Sequence, residues 1–245
     1  MIDGYSRLIT SLICATDNRA STVLKGFVQA CERYGIPSRY RTDRGWENGK
    51  AALFINLVRG VNRGSHIAGR SVHNQRIERL WRDVRKEVLQ PLRDTLYELE
   101  DSGILDHENP VHVAVVHQVW LPALKHQLEE FREAWNKHSI RTVQGRVKTP
   151  EQLWLQGMLE NANSGHTATS TVFEDNPPSV ERTLVDSLAA HNLTLDDLDL
   201  ENELAEDRID LVLPPQVNLP AEAQRVLEQG LTPKESFLAI LEHLN

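Results

Sequence analysis

The chain has 245 residues, 40% of them hydrophobic, enough to bury a core and to exclude a wholly disordered polypeptide. Its formal net charge of -8 averages two regions of opposite sign: residues 1–160 carry 23 Lys and Arg against 19 Asp and Glu, whereas residues 161–245 carry 4 against 16. No apolar run reaches the length of a membrane span and no signal-peptide pattern follows Met1, so a soluble, intracellular protein with no membrane partner and no targeting signal is expected.

Along the chain, Leu8 to Ala15 reads as a nearly continuous apolar run suited to a buried strand. Val23, Leu24, Phe27, Val28, Cys31 and Tyr34 then recur at helical spacing after Ser21, a candidate N-cap, and Gly35 with Pro37 supplies the stop. A short strand over Ser38 to Thr42 delivers Asp43 to its carboxyl end. Leu53, Phe54, Leu57 and Val58 predict a second short helix closed by Gly60, and a further strand falls near His66 to Ala68. Ile77, Leu80, Trp81, Val84 and Val88 form one apolar stripe and predict an amphipathic helix buried along it.

Val116, Trp120, Leu124, Leu128, Phe131 and Trp135 outline a long helix that Pro122 should kink or divide. Thr149, Pro150 and Gln152 give an N-cap, a proline at the first helical position and a box partner for the next helix. Residues 161–180 lose periodicity and read as a linker. The acidic segment 181–245 is read as a mainly helical tail ending in a helix capped by Thr232 and Glu235. Cys14 and Cys31 sit in apolar segments and are expected as reduced core residues without a disulfide or zinc.

Asp43 and Glu78 lie 35 positions apart, one at a strand end and the other near a helix start, an arrangement that can converge two carboxylates on a hard divalent cation. Most acidic side chains are solvated, so spacing alone is weak evidence. The basic excess of residues 1–90, 16 against 8, would attract phosphates in a salt-sensitive manner.

The phrases RTDRGWENGK and SVHNQRIERLWRDV resemble the second and third acidic motifs of the DDE integrase core shared by retroviral integrases and many transposases. IDGYSR, AWNKHSIRT and KTPEQLW resemble further stretches of that core, and the GRSVHNQRIERLWRDV wording is similar to a eukaryotic integrase-core family. The resemblance covers roughly residues 1–158. It implies an α/β fold, ribonuclease H-like, with a mixed sheet flanked by helices, and residues 1–160 as the core domain. It also implies Asp43 and Glu78 as catalytic residues and ligands of Mg2+ or Mn2+. His73, Asn74, Gln75, Arg76, Arg79, Arg82 and Lys86 become candidate nucleic-acid contacts.

One departure from the family matters. Its first catalytic aspartate sits on a strand with no counterpart here, because IDGYSR matches a later segment, so Asp3 is a poor substitute. The chain is therefore expected to be an N-terminally truncated core, inactive in DNA cleavage and strand transfer as it stands. The alternative is a domesticated, non-catalytic nucleic-acid-binding or protein-interaction module of transposable-element origin. A third expectation is that upstream coding sequence completes an active enzyme. DNA is the expected partner, with self-association through uncovered sheet edges, a protein partner for the acidic tail, and a nuclear location if the family role is retained.

Overall fold

The computed structural model describes residues 1–69, 75–141, 145–161, 179–194 and 219–244. In chain order these form α1 (Ala20–Tyr34), β1 (Tyr40–Thr42), a 3-10 turn (Trp46–Asn48), α2 (Gly49–Arg59), β2 (His66–Ala68) and α3 (Gln75–Val84). A π-helical turn (Arg85–Leu89) leads into α4 (Gln90–Asp101), followed by α5 (Pro110–Lys137), β3 (Ile140–Arg141), β4 (Val147–Lys148) and α6 (Pro150–Asn161). Three further helices are α7 (Val180–Ala189), α8 (Ala221–Leu227) and α9 (Pro233–Leu244). The fold is thus mixed, with helices predominating over two small sheets among the described residues. β1 and β2 pair in parallel with Tyr40 opposite His66, Arg41 opposite Ile67 and Thr42 opposite Ala68; β3 and β4 pair antiparallel.

The chain divides into two compact units, one drawn from Met1–Leu12, Asp17–Arg79 and Arg132–Ile209, the other from Ile13–Thr16, Leu80–Phe131 and Asp210–Asn245. In the first unit, Phe27 and Cys31 of α1 pack with Ala51, Phe54, Ile55 and Leu57 of α2, and with Val180, Leu184 and Leu188 of α7. The four-residue steps within 180–188 place those three side chains on one face of α7, which is why a single helix can close this core. The Phe27 ring lies 4.6 Å from Tyr40 and meets Phe54 edge-on at 5.6 Å, so the same cluster supports β1 from below.

The start of α1 differs from the expected Ser21 cap. Arg19 holds the N-cap position, and Asp17 accepts hydrogen bonds from the Arg19 amide at 3.0 Å and the Thr22 hydroxyl at 2.5 Å. An ionised carboxylate is the stronger acceptor, and these bonds hold the Asp17 carboxyl below its ordinary range. Ser21 consequently lies within the first turn. The helix ends as expected at Gly35, whose φ of 82° lets its N–H reach the Cys31 carbonyl at 2.8 Å.

The expected strand from Leu8 to Ala15 is not formed. Leu8 and Ile9 are buried, but the backbone makes a single antiparallel bridge, between Ile2 and Ile9. The polar groups of Ile9 go instead to one side chain: Asn136 of α5 accepts from the Ile9 N–H at 2.8 Å and donates to its carbonyl at 3.1 Å. Trp135 adds an indole donor to the Arg7 carbonyl at 2.9 Å. A side-chain amide carries one donor and one acceptor in a plane, so Asn136 stands in for the peptide of a neighbouring strand.

The second unit gathers Leu99, Leu105, Val115, Val119 and Trp120 with Leu219, Ala223, Val226, Phe237 and Ile240. Phe237 contacts Trp120 at 5.3 Å between ring centroids. Pro122 does not divide α5, which is one helix of 28 residues; buried Val119 and Trp120 before the proline and Leu128 after it hold both sides in place. On α3 and the π turn, Leu80, Val84 and Val88 are buried, but Trp81 is 50% exposed and departs from the expected stripe. The buried line steps by four residues, and Trp81 lies about 100° around the helix from Leu80. Both capping boxes form: Thr149 and Gln152 exchange bonds of 3.1 and 3.2 Å, and Thr232 and Glu235 bonds of 2.9 and 3.4 Å.

Leu188 is 1% exposed in the first unit's core. Leu188→Ala should cost about 2–5 kcal/mol in that unit, read as a lower urea midpoint at constant slope. An unchanged midpoint would show that α7 adds nothing to the core.

Candidate DNA interface and carboxylate pair

The approach to β1 is fixed by two arginines of the segment after it. Arg59 donates from Nε to the Pro37 carbonyl at 3.3 Å and from Nη2 to the Ile36 carbonyl. Arg63 donates to the Ser38 carbonyl at 3.0 Å and hydroxyl at 2.8 Å. Three residues of parallel pairing follow, and the Gly69 amide closes the ladder on the Thr42 carbonyl at 3.0 Å. Asp43 emerges at the carboxyl end of β1, exposed to solvent.

Its carboxylate is oriented locally. Asp43 Oδ1 accepts from the Asn48 side-chain amide at 3.0 Å and, at the long limit of 3.4 Å, from the Gly45 N–H. The same Asn48 amide donates to Glu47 Oε1 at 3.2 Å, so one side chain holds two carboxylates. A Cβ on Gly45 would stand 2.1 Å from Glu47 Oε1, and any other residue there would push that carboxylate aside. Neither Gly45 nor Asn48 was expected as a site residue. The signal was present, since an aspartate followed two positions later by glycine favours a turn in which the carboxylate accepts the backbone N–H.

Behind Asp43, the Thr42 hydroxyl donates to the Asp43 carbonyl at 2.8 Å and lies 2.9 Å from His66 Nε2. With the hydroxyl proton so used, Nε2 carries the ring hydrogen that completes the pair. Burial lowers the His66 pKa from the ordinary 6.5, because the charged imidazolium is desolvated. Burial, with smaller contributions from Cys31, Asp43 and Glu47, pushes the Tyr40 phenol up to about 12.

Glu78 lies in the first turn of α3 and is exposed. Both carboxylates belong to the first unit, and among the described residues no hydrogen bond or ion pair joins them. Gln75, Arg76, Arg79, Arg82 and Lys86 are all exposed on α3 and the π turn. Lys86 makes a 3.5 Å ion pair with Glu87, both solvated, which adds little to stability. His73 and Asn74 fall outside the described residues. Asp3 is committed to a turn: its Oδ2 accepts from the Tyr5 amide at 3.0 Å and from the Ser6 amide and hydroxyl at 2.7 Å each.

Asp43 and Glu78 supply the right kind of donor for Mg2+ or Mn2+, hard carboxylate oxygens. Among the described residues no group of three His, Cys, Asp or Glu is placed to hold a metal ion. Cys14 and Cys31 are free thiols; Cys14 is only half-buried, whereas Cys31 packs in the first unit's core, where burial pushes its thiol up to about 12. No described helix is long and apolar enough to cross a membrane.

A His66 pKa that is lower folded than unfolded means that the unfolded chain binds more protons. Stability should therefore hold above pH 6.5 and decline as pH falls below it towards the folded value. His66→Gln should flatten that decline in urea melts across the acid range; parallel curves for both proteins would remove His66 as its source.

A family model described as integrase core domain matches residues 1–168. Neither a curated protein nor a solved structure matches the chain. With the match spanning well over half of the sequence and containing both acidic motifs, the chain belongs to the integrase core domain family.

Proposed function

We propose that the protein binds DNA as a ribonuclease H-like integrase core, with Asp43 and Glu78 in the positions of the family's catalytic carboxylates and the exposed side chains of α3 as phosphate contacts. The observation that carries this reading is the placement of Asp43: exposed at the carboxyl end of β1 and aimed by Asn48 at 3.0 Å, inside a matched integrase core. Family membership supports integrase- or transposase-like function in DNA integration, and the family is generally dependent on a divalent metal.

The division of labour follows from charge. Arg76, Arg79 and Arg82 present planar donors suited to phosphate oxygens, with Gln75, Lys86, His73 and Asn74 as further contacts. Phosphate contacts position a duplex and confer salt dependence without reading its sequence. Asp43 and Glu78 are ligands in this reading, not nucleophiles; water or a 3′-hydroxyl attacks the phosphodiester. Two carboxylates alone hold a divalent ion weakly, so the 245-residue chain is proposed to bind DNA without cutting it. Residues 1–160 form the acting domain in this view, 161–180 a linker, and the acidic 181–245 a region for a protein partner. Self-association through uncovered strand edges and a nuclear location belong to the same proposal.

The test is DNA binding by the 245-residue chain over a salt series, followed by fluorescence anisotropy on a short random-sequence duplex. Affinity should fall steeply with salt, and Arg76→Gln with Arg79→Gln should lower the logarithmic slope by roughly one per lost phosphate contact. Asp43→Asn with Glu78→Gln should bind DNA as well as the parent or better. Nicking with Mg2+ or Mn2+ should stay at background. Nicking above background that the carboxylate variant loses would overturn the inactive reading and establish an enzyme; absent DNA binding would overturn the proposal altogether.

A further inference from the structure

The segment from Ser38 to Arg44 contains three arginines outside the α3 group, and its alternation sorts them. Tyr40 and Thr42 turn inward: the Tyr40 ring packs at 4.6 Å on Phe27, and Thr42 is buried with its hydroxyl on His66. Side chains of an extended chain alternate between faces, so Arg39, Arg41 and Asp43 share the opposite side. All three are exposed, as is Arg44 just beyond.

Five arginines lie between Ser38 and Ser65, and their uses divide cleanly. Arg59 and Arg63 are spent on the carbonyls of Ile36, Pro37 and Ser38. By contrast, no hydrogen bond or ion pair is made by the side chains of Arg39, Arg41 or Arg44 to the described residues. Each exposed guanidinium keeps a planar fork of donors that matches a phosphate. Two residues of strand advance about 6–7 Å, so Arg39 and Arg41 form a row of cations that ends at the Asp43 carboxylate.

We infer that Arg39 and Arg41 form a phosphate-binding track that leads one DNA strand along the outer face of β1 to Asp43. This inference rests on the proposed DNA-directed function but assigns contact residues beyond those of α3. Its contacts are to the backbone, so it guides and positions a strand irrespective of base sequence. Both strands of the parallel pair leave the sheet at the same end, which makes Asp43 the terminus of the track and not a charge within it.

The experiment compares the full chain with Arg39→Gln/Arg41→Gln, Arg39→Lys/Arg41→Lys and Arg76→Gln/Arg79→Gln in the same salt series. The glutamine pair on β1 should lower the slope of log affinity against log salt by about two, while the lysine pair, which keeps the charge, should retain the parent slope. Duplex DNA should also protect Arg39 and Arg41 of the unaltered chain from a guanidinium-selective reagent, read by peptide mass spectrometry, which requires no variant to fold. A slope unchanged by the β1 glutamines, or no protection of either arginine, overturns the track even where the α3 variant weakens binding. If the parent chain fails to bind DNA, both the track and the function beneath it fall.

Discussion

The parallel pairing of β1 with β2 is the constraint on which the candidate site depends. Parallel strands need a connection that returns the chain to the same end, and α2 provides it here, with Phe54 and Ile55 wholly buried beneath the pair. Because the two strands run the same way, both leave at one edge, and Asp43 follows directly from β1. A three-residue ladder is a weak object by itself. It is held by the Phe27–Tyr40–Phe54 aromatic group below and by the arginine clamps on Pro37 and Ser38 before it.

A second dependence runs through Asn136. Its amide takes both polar groups of Ile9, in a setting where Asn136 is 3% exposed and Ile9 fully buried. An unpaired backbone group at such a site costs about 1–3 kcal/mol, so losing this side chain would strand two groups at once. The interaction ties residues far apart in sequence and gives the amino-terminal segment a fixed place without a strand ladder. Asp3 does the same over a shorter range, drawing the backbone of Tyr5 and Ser6 into a turn with one oxygen.

Much of this could be read before the coordinates. The strand end that carries Asp43, the helix stops at Gly35 and Gly60, and both capping boxes rest on local rules that tertiary context leaves intact. The misses share a cause in competition at longer range. Leu8 to Ala15 has the composition of a strand, but the polar groups of its buried Ile9 are satisfied by Asn136, 127 residues away. Ser21 yielded the cap region to Asp17, a stronger acceptor. Trp81 shows that an apolar residue at helical spacing need not be covered, and the pattern of Val180, Leu184 and Leu188 identifies a buried face without identifying what it covers. At the site, the resemblance of RTDRGWENGK and SVHNQRIERLWRDV to the family's acidic motifs singled out Asp43 and Glu78, which spacing alone did not. The hydrogen bonds from Gly45 and Asn48 that aim the first of them required geometry.

Net charge is the property most apt to mislead about this molecule. A total of -8 argues against a polyanion as partner only if charge acts at long range. At physiological ionic strength the Debye length is about 8 Å, so a bound phosphate responds chiefly to the side chains immediately around it. What matters is then the state of each cation and not the sum. Arg59 and Arg63 are consumed by carbonyls and shape the strand, whereas the arginines of α3 and of the outer face of β1 stay in solvent where a phosphate can meet them. The same residue type thus shapes the strand in one place and supplies the proposed phosphate contacts in another, and sequence counts alone cannot separate the two uses.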